Sequence, residues 1–195
     1  MLTVFNYILS KIKEQINLFL ALIVTFLIGF ILGLFFTLPT DIEELYKTFI
    51  LQIFTDALLN KAPLFSFVFT RVLNLIFLYL IAFLLGLNSV LFFCVFLLIF
   101  YKAVVMAVGL KIAVISLSFL IYFPYIFTVF LESLIVTFSL IIYAILTIKN
   151  VQNKTNCFLN KQLRITLISF SLGLVGIAVE VILLTALFRP INFYF

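Results

Sequence analysis

The chain has 195 residues, of which 67% are hydrophobic and only 10% charged, with a mean hydropathy of +1.42 and a formal net charge of +5. Soluble domains carry roughly 25% charged residues. A chain this poor in polar surface cannot wrap a core against water, so its solvent is largely lipid.

The chemistry on offer is sparse. There is no histidine, which removes the commonest general base and metal ligand. Cys94 sits in the apolar run VLFFCVFLLIF and reads as a small buried hydrophobe, whereas Cys157 lies in the polar stretch NVQNKTNCFLNK. Cys94 lies within an apolar span and Cys157 in a polar loop, so no disulfide is expected. Gly-rich phosphate loops, G-x-S-x-G and H-E-x-x-H are missing from the sequence. The expectation is a protein that is not an enzyme and has no catalytic, cofactor-binding or metal-ligating residues. Basic residues stand at span ends rather than among aromatics on a solvated face, so they read as topology signals and not as a nucleic-acid surface. The N-terminal stretch lacks a basic region ahead of its apolar part, and it is not read as a removable signal peptide.

The first apolar run covers residues 16–38 and is long enough to cross ~30 Å of hydrocarbon. Within it Gly29 and Gly33 form a G-x-x-x-G pair, a spacing that lets a second helix approach closely. Residues 39–71 form a more polar, external segment. There Ile42, Leu45, Phe49, Phe54 and Leu58 recur at helical intervals, and Thr40 and Asp41 are suited to cap the start. This predicts an amphipathic helix lying at the membrane surface. Its polar residues Asp41, Glu43, Glu44, Lys47 and Asp56 are candidates for docking a soluble partner, the plainer alternative being a stiff connector.

The second span is assigned to residues 72–87, which is short, with PLFSFVFT (63–70) available to add a turn, and Asn88-Ser89 makes a turn into the third span, 90–109. Lys102 lies well inside that span, and Lys111 near its far end can snorkel to the headgroups. Residues 112–148 stay apolar for too long to be one untilted span. Pro124 is expected to break them into an interfacial or re-entrant piece, 112–123, and a fourth span, 125–148, which carries Glu132. A basic loop, 149–164, holds Lys149, Lys154, Lys161 and Arg164 without any acid, and the fifth span, 165–188, carries Glu180. The fold class is thus an all-α polytopic membrane helix bundle: about five transmembrane helices, the external amphipathic helix and the Pro-broken segment, in one integral membrane domain.

Five spans put the N-terminus and the 149–164 loop on one side. That side carries Lys11, Lys13, Lys149, Lys154, Lys161 and Arg164 against Glu14 alone. The positive-inside rule places it in the cytoplasm and the 39–71 segment and C-terminus outside, in a cell membrane.

Lys102, Glu132 and Glu180 each cost at least ~2.5 kcal/mol near a helix centre if unpaired. Measured from the cytoplasmic end they lie about 18 Å, 24 Å and 22 Å deep respectively. Shared depth on three spans predicts an interior ion cluster in which Lys102 pairs with Glu132 or Glu180. Two roles are open for it: fixing helix register, or forming part of an ion- or proton-coupled path. Interior Ser116, Ser118, Ser133 and Thr137 are expected to bond their own helices.

Taken together, the layout resembles the stage II sporulation protein M family of multi-pass membrane proteins. The matching features are GFILG at the end of the first span, the partly acidic external segment, LLGLNS around Gly86, and YKAVVMAVG with Lys102, Ala103, Ala107 and Gly109. IYFPYIF with Pro124, and a basic loop before a last span with Glu180 and a later Pro190, complete the pattern. The chain departs from it at Ala103 and Ala107, where the family usually has glycine, and after Pro124, where a Pro-Gln-Asn stretch is common. The resemblance implies a non-enzymatic scaffold, with extracytoplasmic partners such as cell-wall hydrolases. The rival reading from the residues is a small transporter or substrate-binding membrane subunit built on the interior Lys/Glu cluster. Self-association of the chain stays open.

Overall fold

In hydrocarbon every backbone N–H and C=O must be satisfied within the segment that carries it, so long apolar runs fold as helices. The computed structural model describes residue 10 and residues 12–37, 39–46, 48, 56, 64–88, 91–116, 119–152 and 158–188. Among these no strand occurs, and five helices are long and apolar enough to cross a membrane. The protein is a multi-pass membrane helix bundle.

Helix α1 (Ile16–Phe35) ends where Phe36 turns extended, and Phe36 N–H still donates to the Leu32 carbonyl at 2.9 Å. The Pro39 carbonyl then accepts from the N–H groups of Ile42 and Glu43, which starts α2 (Thr40–Tyr46) with Asp41 and Glu43 in its first turn. Acids there meet the positive end of the helix dipole. Lys47 and the expected continuation through Phe49, Phe54 and Leu58 lie outside the described residues.

Helix α3 (Leu64–Leu85) begins well before residue 72, because FSFV is as apolar as the run that follows. Arg71 is therefore inside a helix long and apolar enough to cross a membrane and not at the end of the 39–71 segment. A short 3₁₀ turn (Leu91–Phe93) leads into α4 (Cys94–Ser116), which continues past residue 109 and absorbs residues 112–116 of the expected re-entrant piece. Helix α5 (Phe119–Tyr125) contains Pro124 without breaking. The chain widens into a π-wound turn, Ile126–Phe130, and runs straight on as α6 (Leu131–Gln152). Proline removes one N–H and crowds the preceding turn, which stays α-helical here, and the π winding follows directly after it. The Thr128 hydroxyl donates to the Pro124 carbonyl at 2.8 Å. Helix α7 (Phe158–Ile182) starts ahead of residue 165 and ends in a second π-wound turn, Leu183–Phe188. Lys161 and Arg164 are thus exposed helical residues, while residues 153–157 and the tail from 189, including Pro190, lie outside the described residues.

The spanning helices form a closely packed pair, α1 with α4, and a trio in which α7 packs on both α6 and α3; α4 meets α3 and α6 more loosely. Helix α6 is the most buried. The α1–α4 contact is built on small residues. A Cβ on Gly29 would lie 2.8 Å from the Phe100 carbonyl oxygen and 3.1 Å from Ala103 Cβ; one on Gly33 would lie 2.7 Å from the Val104 oxygen and 2.8 Å from Ala107 Cβ. Backbone on the far side cannot yield, so only glycine fits. At the end of α1, Lys111 Nζ donates to the Phe36 carbonyl at 3.2 Å instead of only reaching for headgroups. A cation at a helix C-terminus satisfies an orphan acceptor and opposes the dipole.

Replacing Gly29 and Gly33 together with leucine forces α1 off α4. Overpacking costs about 1–3 kcal/mol at an ordinary core site, and backbone contact at both positions places this pair at or beyond the upper end. The check is thermal unfolding in detergent, where the double variant melts well below wild type or is not recovered folded; an unchanged melting temperature contradicts the packing.

Candidate functional site

Two apolar clusters fill the bundle. One is built on Leu75, Tyr79, Ile99, Val136, Leu140 and Ile177, the other on Phe67, Val108, Ile112, Val129 and Leu184. The interior charges sit between them on each helix. Arg71 falls between Phe67 and Leu75 on α3, Lys102 between Ile99 and Val108 on α4, Glu132 between Val129 and Val136, and Glu180 between Ile177 and Leu184. Helical spacing thus stacks two cations and two carboxylates into one layer across the bundle.

Within the layer Glu180 is fully buried and its Oε1 pairs with Arg71 Nη2 at 3.1 Å, the guanidinium side being 17% exposed. Glu180 Oε2 has no hydrogen-bond partner among the described residues. The Arg71 guanidinium also lies over the Phe67 ring, 5.2 Å from its centroid, a cation–π contact that shields it from lipid. Glu132 is buried and accepts from the Ser133 hydroxyl at 3.1 Å. Gly176, one turn before Glu180, lets α7 lie close to the Glu132 carbonyl; a Cβ there would be 3.3 Å away. Lys102 is half-buried, with Glu132, Arg71 and Glu180 as its electrostatic neighbours. The direct partner of Glu180 is Arg71 and not Lys102. Lys102 makes no hydrogen bond or ion pair with a described residue.

A cavity of about 130 Å³ opens beside this layer, lined by Arg71, Asn74, Lys102, Tyr125 and Ser133 with apolar side chains of α4 and the π-wound turn. A second, of about 200 Å³, lies where α1 ends, between Phe36, Glu43 and Lys111. Among the described residues no group of His, Cys, Asp or Glu could hold a metal ion.

The sequence reading missed a buried polar network at the opposite end of the trio. Tyr143 OH donates to the Ala82 carbonyl at 2.7 Å and accepts from Gln162 Nε2 at 2.6 Å. Gln162 also reaches Thr147 at 3.2 Å, and Asn150 Nδ2 donates to Gln162 Oε1 at 2.9 Å. Further along, Tyr79 and Ser139 share a short hydrogen bond between α3 and α6. Gly86 makes room: a Cβ there would fall 2.2 Å from Tyr143 OH and 2.3 Å from Gln162 Nε2. Thr137 bonds the Ser133 carbonyl of its own helix, as expected, whereas the Ser133 hydroxyl turns to Glu132. Of the docking candidates, Asp41 and Glu44 are exposed on α2, Glu43 is half-buried and Asp56 lies apart from them in sequence; Lys47 is not described.

No family model, no curated protein and no solved structure matches the chain.

Arg71→Met strands Glu180 in low dielectric. Breaking a buried pair from one side costs about 3–5 kcal/mol, while removing both partners costs much less. A double-mutant cycle with Glu180→Gln, read by unfolding in detergent, is expected to show strong coupling; the same cycle on Lys102 and Glu180 is expected to show weaker coupling. Additive losses for Arg71 and Glu180 contradict the pair.

Proposed function

We propose that the chain is a non-enzymatic scaffold of the cell membrane, N-terminus in the cytoplasm and C-terminus outside, that holds extracytoplasmic cell-wall-remodelling proteins in place. The layout-level resemblance to the stage II sporulation protein M family implies this role. The observation that carries it is how the interior is spent. Arg71 and Glu180 pair with each other, Glu132 binds Ser133, and Tyr143, Gln162, Thr147 and Asn150 satisfy one another across two helices. A bundle locked by such bonds suits an anchor that must keep its shape under load. The surface it offers a partner is α2, where Asp41 and Glu44 stand exposed beside the exposed apolar side chains of Ile42 and Leu45.

The rival is a solute-binding membrane subunit, and the cavity beside Arg71 and Lys102 is what favours it. The two readings separate on one variant. For a scaffold, Asp41→Lys with Glu44→Lys abolishes cross-linking from α2 to an extracytoplasmic protein in intact membranes and leaves the melting temperature unchanged. Loss of solute uptake in a stable Lys102→Met variant, with cross-linking intact, decides for the subunit.

Orientation is checked by cysteines placed at Asn60 and Asn153 in a chain lacking Cys94 and Cys157. The residue at 60 is expected to react with an impermeant reagent in intact cells and the residue at 153 to be protected. The reverse pattern, or equal labelling, overturns the topology.

A further inference from the structure

We propose that the cavity beside the charged layer is a binding site for a singly charged phosphate group, supplied by a lipid headgroup or by free phosphate. This goes beyond the scaffold reading and does not depend on it. Four observations point to it.

The first is the sign of the wall. Its charged residues are Arg71 and Lys102, its neutral polar residues are Asn74, Tyr125 and Ser133, and none of the lining residues is an acid. Arg71, Lys102 and Asn74 carry N–H donors toward an anion, while the Ser133 hydroxyl already donates to Glu132. The carboxylates of the layer, Glu132 and Glu180, are not among the lining residues, and Glu180 is engaged with Arg71.

The second is the state of Lys102. An ammonium carries three donors, and here it has no hydrogen bond or ion pair with a described residue, at a depth where water is scarce. By length along the span Leu91–Ile115 it stands near the middle, about 17 Å from one end and 20 Å from the other. Asn74, also lining the cavity, likewise has no hydrogen bond to a described residue. An oxyanion supplies the acceptors both groups lack, in charge-assisted bonds roughly twice as strong as neutral ones.

The third is size. About 130 Å³ is well below the roughly 300–1,000 Å³ of pockets that take drug-sized ligands. It is several times the ~30 Å³ share of one water. The occupant is therefore ion-sized or a headgroup fragment. The fourth is position. The cavity lies where α4 meets α3 only loosely, against the π-wound turn whose Val129 and Phe130 line it, and Asn74 on α3 is exposed. Widened turns of this kind recur at functional sites. Charge fixes the valence: Arg71 and Lys102 balance Glu132 and Glu180, so a singly charged phosphodiester or dihydrogen phosphate adds less repulsion than a dianion.

The test uses the full chain, purified in an uncharged detergent and stripped of lipid. Its melting temperature is followed against inorganic phosphate with chloride as the matched control, and against phosphatidylglycerol with a phosphate-free glycolipid as control. The expected result is a concentration-dependent rise with at least one phosphate source. Lys102→Gln is expected to weaken that response by about tenfold or more, the loss of one charge-assisted bond. A response to phosphatidylglycerol alone assigns a lipid headgroup, and one to inorganic phosphate alone assigns the free anion. No rise with either source, an equal rise with the chloride or glycolipid control, or an unchanged half-saturation in Lys102→Gln overturns the site. If Lys102→Gln does not fold, Asn74→Leu takes its place: loss of the response supports the site, and a wild-type response overturns it.

Discussion

A carboxylate with no solvent exposure in the middle of a membrane-spanning bundle has to meet a cation, and Glu180 meets Arg71. That requirement sets much else. It fixes how far α7 slides along α3, because a shift of one turn, about 5.4 Å, would part the two charges. It is met because α3 starts early enough, at Leu64, to carry Arg71 within the helix rather than at its edge. It also divides the apolar interior, since each helix that contributes a charge has one hydrophobic cluster before it and another after it. A uniform apolar interior would give helices in lipid little reason to choose one register over another, because lipid tails are as apolar as leucine. A charged layer makes the wrong registers expensive.

The trio and the pair are held by different forces. Between α3, α6 and α7 the cement is polar: the ion pair in the middle and the Tyr143–Gln162–Asn150 network towards Gly86. Between α1 and α4 it is close packing, with Gly29 and Gly33 against the carbonyls of Phe100 and Val104. Both depend on the same economy of side chains. A hydrogen bond between helices in lipid averages only about 0.6 kcal/mol, so backbones must come near enough for many contacts to add. Glycine is what permits that at Gly33, at Gly86 and at Gly176.

The all-helical class and the presence of helices long and apolar enough to cross a membrane were legible in the sequence because hydrocarbon imposes one simple rule on apolar length, and the charges on α4, α6 and α7 stood out against it. The small-residue pair at Gly29 and Gly33 was visible as spacing, although the helix it faces was not. Arg71 was not legible as an interior residue, since a charge at the edge of an apolar window reads as its boundary. A signal was nonetheless there: Lys102, Glu132 and Glu180 sum to one net negative charge, and a buried layer with that imbalance calls for a second cation. Pro124 was read as a breaker because its lost N–H counts against a regular α-helix; the helix instead carries it and widens into a π-wound turn just after it, where the Thr128 hydroxyl meets the Pro124 carbonyl, and neither shows in a hydropathy pattern. Gln162 and Asn150 were assigned to a basic loop on polarity alone. The space that admits Gln162 is left by Gly86, far away in sequence.

Lys102 stands apart within this arrangement. Arg71, Glu132 and Glu180 all belong to the trio, and Lys102 is the one member of the charged layer carried by the pair. The pair and the trio pack less closely on each other than within themselves. A cation on one side of that seam, opposite carboxylates on the other, gives the two parts a long-range preference for facing each other but no fixed geometry, because a Coulomb attraction between separated charges is weakly directional. Fixing the geometry takes short, directional hydrogen bonds, and at the seam those donors point into a cavity bounded by both parts. An oxyanion seated there bonds Lys102 of the pair and Asn74 of the trio at once. The looseness of α4 against α3 and the unmet donors of Lys102 are on this view two aspects of one site, a joint whose last component is a ligand and not a side chain.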